Sequence, residues 1–173
     1  MKKVLWVNPS FLDYRIPLYD ELNKLYQNNF HLIYSKQRVP QRCIDKIESV
    51  LKGNALGLLT EKNVSIGKKD GFANSGISLP FPKGLYRLIK SVKADIVIFD
   101  PPRKGLDKKS INNILQIKPK KLVYISCNPA TLIRDLKMFE EQYEIKTIIP
   151  VDMFPWTSHI ECVSLLCLKK GLS

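Results

Sequence analysis

Short apolar runs bounded by turn residues alternate along this chain with amphipathic stretches, the pattern of an α/β domain built on a parallel sheet. "KVLWVN" (3–8), "HLIYS" (31–35) and "ALGLL" (55–59) predict strands, with helical periodicity between them over 17–27 and 41–52. In the second of these helices Cys43, Ile44, Ile47, Val50 and Leu51 recur at the spacing that lines one helix face. Residues 65–84, rich in Gly, Ser, Asn and Pro, predict a long loop with room for a short strand inside. Helix is expected again over 83–92, strand over 94–99, helix over 108–117, strand over 121–126 and helix over 130–142. Finally "EIKTIIPVD" (144–152) and "IECVSLLCLKK" (160–170) predict two strands joined by the turn-like "MFPWTSH". Their spacing suits an antiparallel hairpin at a sheet edge, with Lys169 and Lys170 at its end.

A chain of 173 residues fits one domain and should remove roughly 70% of its unfolded surface from water, which allows a sizeable core. Hydrophobic residues at 45% and charged residues at 25% place it among globular rather than disordered proteins. No run approaches the ~20 apolar residues of a membrane helix. The basic start "MKKVLWVNPS" meets Asn-Pro too soon for a signal-peptide core, so it is expected to be the first strand of a cytoplasmic protein with no membrane partner. Cys43, Cys127, Cys162 and Cys167 form no CxxC pair and the histidines do not cluster, so no metal site is expected from this chain. The net charge of +12 suggests a polyanionic partner such as RNA, or an anionic surface. That excess is uneven, with 16 Lys/Arg against 7 Asp/Glu in residues 1–93 and 12 against 9 in residues 94–173.

Three constellations fall where open α/β sheets bind ligands, at or just beyond the carboxyl ends of strands. "DPPRKG" (100–105) follows one strand, "SCNP" (126–129) the next, and "FPWTSHIECV" (154–163) spans the final turn and strand. Each has a structural reading as well as a chemical one. Cys127 suits a small buried side chain as well as a nucleophile, and Asp100 before two prolines can serve turn amides alone. His159 and Glu161 alternate along a strand, as a solvent-facing polar pair would, and Arg103 with Lys104 could be an ordinary basic pair.

Taken together, "FDPPRKGLD" (99–107), "YISCNPATLIRDL" (124–136) and "VDMFPWTSHIECVSLL" (151–166) closely resemble the C-terminal catalytic part of S-adenosylmethionine-dependent RNA (uracil-5-)-methyltransferases, over about residues 94–170. These enzymes make 5-methyluridine in ribosomal and transfer RNA. The resemblance implies that Cys127 is the nucleophile that adds to carbon 6 of uracil and that Glu161 is the base that removes the carbon-5 proton. It further implies that Asp100 lies where cofactor and base meet, and that Asn128 and Pro129 shape the nucleophile loop. Pro101, Arg103 and His159 are implied on the substrate side, with Arg103 as a phosphate contact. The expected cofactor is S-adenosylmethionine and the expected partner an rRNA or tRNA, with the target base flipped out.

The first half departs from that family. Its first strand leads into "NPSFLDYRIP" without glycine and its second into "SKQRVPQR" without a carboxylate, whereas dinucleotide-type sites use a glycine turn and an acidic residue at these places. Residues 1–98 resemble instead the N-terminal half-domain of a two-domain nucleotide-sugar glycosyltransferase, so the chain reads as a chimera of the two patterns, joined within "ADIVIFD". If each half keeps its family's topology, the whole is one Rossmann-like three-layer α/β domain, residues 1–173, with strand order 3-2-1-4-5-7-6 and an antiparallel C-terminal edge hairpin. The expected activity is then RNA uridine C5-methylation, impaired by the missing glycine motif. The alternatives are a sugar- or acceptor-binding half-domain and a folded hybrid without activity.

Overall fold

In a computed structural model of the chain, residues 2–59, 84–153, 155–157 and 160–172 are described. The loop expected at 65–84 therefore lies outside them, except for Gly84, and so does His159. The strands are β1 (Val4–Val7), β2 (Phe30–Ser35), β3 (Ala55–Leu58), β4 (Ile96–Phe99), β5 (Lys121–Ser126), β6 (Tyr143–Val151) and β7 (Glu161–Leu168). They form one sheet in the expected order β3-β2-β1-β4-β5-β7-β6. β1 lies parallel to β2 and β4, and β5 parallel to β4. β7 inserts antiparallel between β5 and the edge strand β6, with a bulge between Ile145 and Thr147.

The helices are α1 (Ile16–Leu25), α2 (Gln41–Leu51), α3 (Leu85–Val92), α4 (Lys108–Ile117) and α5 (Pro129–Phe139). α1 stops earlier than its periodicity predicts, because Gln27 and Asn28 take left-handed backbone angles and the Asn23 amide turns back to Asn28. The short 3-10 turn Asp13–Arg15 ahead of α1 has no counterpart in the sequence reading. Alternation along the strands sorts the core into two layers. Leu5, Val7, Val97, Phe99, Leu122, Tyr124, Cys162 and Leu166 pack with α3, α4 and α5. Val4, Trp6, Phe30, Leu32, Tyr34, Ile96, Ile98 and Ile125 face the side of α1 and α2.

Capping explains where the second half changes direction. Asp107 accepts a 2.6 Å hydrogen bond from the Ser110 amide at the start of α4. Asn128 does the same for Ala130 at 3.1 Å, and Pro129 takes the first helical position of α5, where its missing N–H costs nothing. β4 and β5 therefore each lead through a loop into a capped helix start.

Candidate active site at the carboxyl edge of the sheet

The loop 100–107 is fixed from below by α5. Asp135, with its side chain fully buried, accepts hydrogen bonds from the Leu106 amide at 2.7 Å and from the Tyr124 hydroxyl at 2.6 Å. Burial and that carboxylate push the Tyr124 hydroxyl far above its usual range. Arg134 pairs with Asp135 at 2.7 Å and donates to the carbonyls of Lys104 (2.8 Å) and Leu106 (3.2 Å). Thr131 Oγ1 and Asn128 Nδ2 donate to the Arg103 carbonyl at 3.1 and 3.3 Å. Gly105 sits at φ +73, and a Cβ there would collide with the Asp135 carboxylate and the Arg134 guanidinium. Much of the "RKGLD" and "NPATLIRD" wording is thus scaffold that holds one loop against one helix.

Above this scaffold the sheet's periodicity gathers the candidate chemistry. Ser126 pairs with Cys162 at the end of the β5–β7 ladder, so Cys127, just past β5, and Glu161, which opens β7, lie one position beyond that pair, and each senses the other's field. By strand alternation Asn8 beyond β1 and Asp100 beyond β4 fall on the side of α1. Cys127, Asp100 and Glu161 thus lie near enough along this edge to bear electrostatically on one another. Asn128 and Pro129 are placed as the cap and first turn of α5, and Pro101 lies in the loop between Asp100 and Arg103.

The residues that sequence reasoning missed are Arg15, Asn8 and Tyr19. Arg15 Nη1 donates to Asp100 Oδ2 at 2.9 Å across the mouth between β1 and β4. With its amide oxygen turned toward them, buried Asn8 accepts from the same Nη1 at 2.9 Å and from the Tyr19 hydroxyl at 2.9 Å. Burial pushes that hydroxyl up to about 12. The one signal in the sequence was position, since these residues follow the first strand exactly where a glycine turn was sought and not found.

The electrostatics are coupled. Burial raises the Glu161 carboxyl above its ordinary value and the Asp100 charge adds to it, while Arg15 and Arg103 pull the other way. Burial also raises the Cys127 thiol, with Glu161 and then Asp100 adding to the shift and Arg103 opposing it. In the ligand-free chain Cys127 is therefore held as a thiol, and the reactive thiolate is a minority form. Removing the Glu161 charge should lower the thiol's pKa. Glu161→Gln is accordingly expected to speed iodoacetamide labelling of Cys127 at neutral pH, read by peptide mass spectrometry; an unchanged rate would mean the two groups do not sense each other.

The same edge can be tested against the expected cofactor. Ligands of open α/β sheets enter at the switch point, here between β1 and β4. Asp100 and Asn8 offer polar groups there, but Asn8-Pro9-Ser10 supplies no glycine turn and β2 runs into Ser35-Lys36 with no acidic residue. The chain's residues fit S-adenosylmethionine on the Asp100 side and do not fit it on the β1 and β2 side.

A seven-stranded sheet in this order, with an antiparallel β7 and a polar cluster at its switch point, defines the Rossmann-like methyltransferase fold. Residues 85–170, which carry all three loops, match the family model described as tRNA (Uracil-5-)-methyltransferase, so this part of the chain is similar to RNA methyltransferases of that type. An uncharacterized RNA methyltransferase of Halalkalibacterium halodurans is 56% identical over 81 residues, 46% of this chain and 18% of the relative. One of Bacillus cereus is 41% identical over 135 residues, 78% of this chain and 26% of the relative. The chain thus spans about a quarter or less of the length of these relatives. Among solved structures, the tRNA (uracil-54, C5)-methyltransferase of Pyrococcus abyssi, in complex with S-adenosyl-L-homocysteine, superposes with a TM-score of 0.53 at 24% identity. That superposition covers 96% of this chain and 34% of the other. The N-methyltransferase NodS of Bradyrhizobium japonicum gives 0.51 at 11% identity, over 98% of this chain and 79% of its own.

These findings correct the reading of the first half. An alignment of 135 residues to an RNA methyltransferase is longer than the whole of residues 99–173, so it runs well into the first half. The glycosyltransferase likeness of residues 1–98, and with it the chimera, gains no support. That likeness rested on apolar strands alternating with amphipathic helices, which many α/β families share because the layer architecture demands it. Among the described residues, no helix is long and apolar enough to cross a membrane, and no group of His, Cys, Asp and Glu could hold a metal ion.

Proposed function

We propose that this edge activates uridine in RNA for methylation at carbon 5, with Cys127 as nucleophile and Glu161 as base. The observation that carries the reading is that Cys127, the residue after β5, and Glu161, the first residue of β7, each lie one position beyond the Ser126–Cys162 pair and are electrostatically coupled. Carbon 5 of uracil is a weak nucleophile. Sulfur adding to carbon 6 pushes the C5=C6 π pair into an enolate, which makes carbon 5 electron-rich. S-adenosylmethionine, when bound, supplies the methyl group that carbon 5 accepts. Glu161 then takes the carbon-5 proton, the double bond re-forms, and the C6–S bond breaks to free the thiolate. A carboxyl whose pKa is raised suits this step, because it holds a proton better than an exposed one does.

RNA as the partner is supported by the family match and by the +12 charge. Arg103, on the loop that α5 holds in place, is assigned to a phosphate next to the target nucleotide. His159, two residues before Glu161, is assigned to the substrate side on the family pattern alone.

The test is covalent capture. The chain is incubated with S-adenosylmethionine and an RNA carrying 5-fluorouridine, whose fluorine cannot leave as a proton does. A band of protein joined to RNA under denaturing conditions, mapped to Cys127, is the expected result. Absence of any adduct at saturating RNA would reject the reading.

A further inference from the structure

The motif-bearing half does not complete the site by itself, because a cation from the first half lies within it. Arg15 lies outside residues 85–170, in the 3-10 turn between β1 and α1, yet its guanidinium reaches Asp100 at 2.9 Å and lies against Asn8 at 2.9 Å. We propose that Arg15 is a positioning residue for the candidate active site: it clamps Asp100 across the β1/β4 mouth and brings a cation from the first half to bear on Glu161. This inference rests on the reading of Glu161 as base.

Geometry and charge both point this way. Asp100 and Glu161 are two carboxylates at one sheet edge, and like charges so placed resist joint ionisation. Arg15, about one third exposed and held between Asn8 and Asp100, has few directions in which to turn away. Burial, the largest single cause, would loosen its proton, but the hydrogen bonds to Asp100 and Tyr14 and the Asp100 charge together outweigh it and hold that proton more firmly than usual. The groups that bear on Glu161 are Asp100 beyond β4, Arg15 before α1 and Arg103 in the loop after β4, with Cys127 and Cys162 sensing it in turn. Without Arg15, one of the two arginines that offset the Asp100 effect on Glu161 is lost, leaving Arg103, and Glu161 would hold its proton to higher pH.

The experiment follows the Glu161 carboxyl by 13C NMR across a pH titration of the full chain, assigned by its loss in Glu161→Gln. Arg15→Gln keeps hydrogen-bond donors but removes the charge, and should move the Glu161 midpoint upward. Arg15→Lys keeps the charge and should bring it back toward wild type. Asp100→Asn removes the like charge and should move it downward. A general loosening of the structure would not give shifts of opposite sign. An unchanged midpoint in Arg15→Gln, or an equal rise in Arg15→Lys, would overturn the clamp; should Arg15→Gln fail to fold, an unchanged midpoint in Asp100→Asn would do so. The titration needs no turnover, so the two readings can fail separately. Opposite shifts without any covalent RNA adduct would uphold the clamp and reject the catalytic role, whereas an adduct with flat titrations would do the reverse.

Discussion

Asp135→Ala is expected to lower the free energy of unfolding by about 3–5 kcal/mol, the range for removing one partner from a buried charged network. Asp135 is the common acceptor for Tyr124, Leu106 and Arg134, and its side chain has no contact with solvent. Its loss leaves a buried hydroxyl and a buried amide without acceptors, each costing more than an ordinary hydrogen bond contributes. Whole domains are stable by only roughly 5–15 kcal/mol, so this one side chain should decide whether the chain is folded at body temperature. Tyr124→Phe removes one donor and leaves the acceptor satisfied by the other two, so about 1 kcal/mol is expected. Urea unfolding followed by circular dichroism separates the two. Equal midpoints for both variants would show that the network is not what holds the loop.

The second large effect concerns chemistry. Cys127→Ala should give no adduct with fluorouridine RNA, whereas Glu161→Gln should still give one and lose about 10²–10⁴ in turnover on ordinary uridine RNA, the usual contribution of a general base. Addition at carbon 6 does not need the base, and release does. An equal defect of both variants in adduct formation would remove Glu161 from that role. The same variant carries a stability signature of definite sign. Glu161 has a raised pKa in the folded chain, so the folded state holds its proton more tightly than the unfolded state does. As pH climbs through the unfolded and then the raised folded pKa, ionisation weakens the fold. Glu161→Gln should therefore melt above wild type at neutral pH, and the difference should close in acid, where both states keep the carboxyl protonated.

How much of this was legible beforehand differs between the two halves. β4, β5 and β7 were readable because parallel and central strands are continuous apolar runs, and prolines or caps end them sharply, as at Asp100-Pro101-Pro102 and Asn128-Pro129. Cys127 and Glu161 were singled out by a family pattern, and the structure sets each one position beyond the Ser126–Cys162 pair. The roles of Gly105 and Asp135 were not, since nothing in "RKGLD" announces that a glycine is needed to let a carboxylate approach from another helix. Arg15 was invisible for a different reason. It acts over 85 residues of sequence separation, from a 3-10 turn too short to leave a periodic signal. The first half misled because strand and helix spacing reports the layer architecture, and architecture does not identify chemistry.

The parallel pairing of β1 with β4, Val4 through Val7 against Ile96 through Phe99, joins the beginning of the chain to its middle. A fragment starting at residue 85 would contain every motif residue and yet present "IVIF" as a naked strand margin, apolar and uncharged. Such margins recruit other strands, so the fragment is expected to self-associate where the whole chain does not, which light scattering would read. In the whole chain β1 covers that margin, so the opening residues close the sheet edge of the half that bears the motifs.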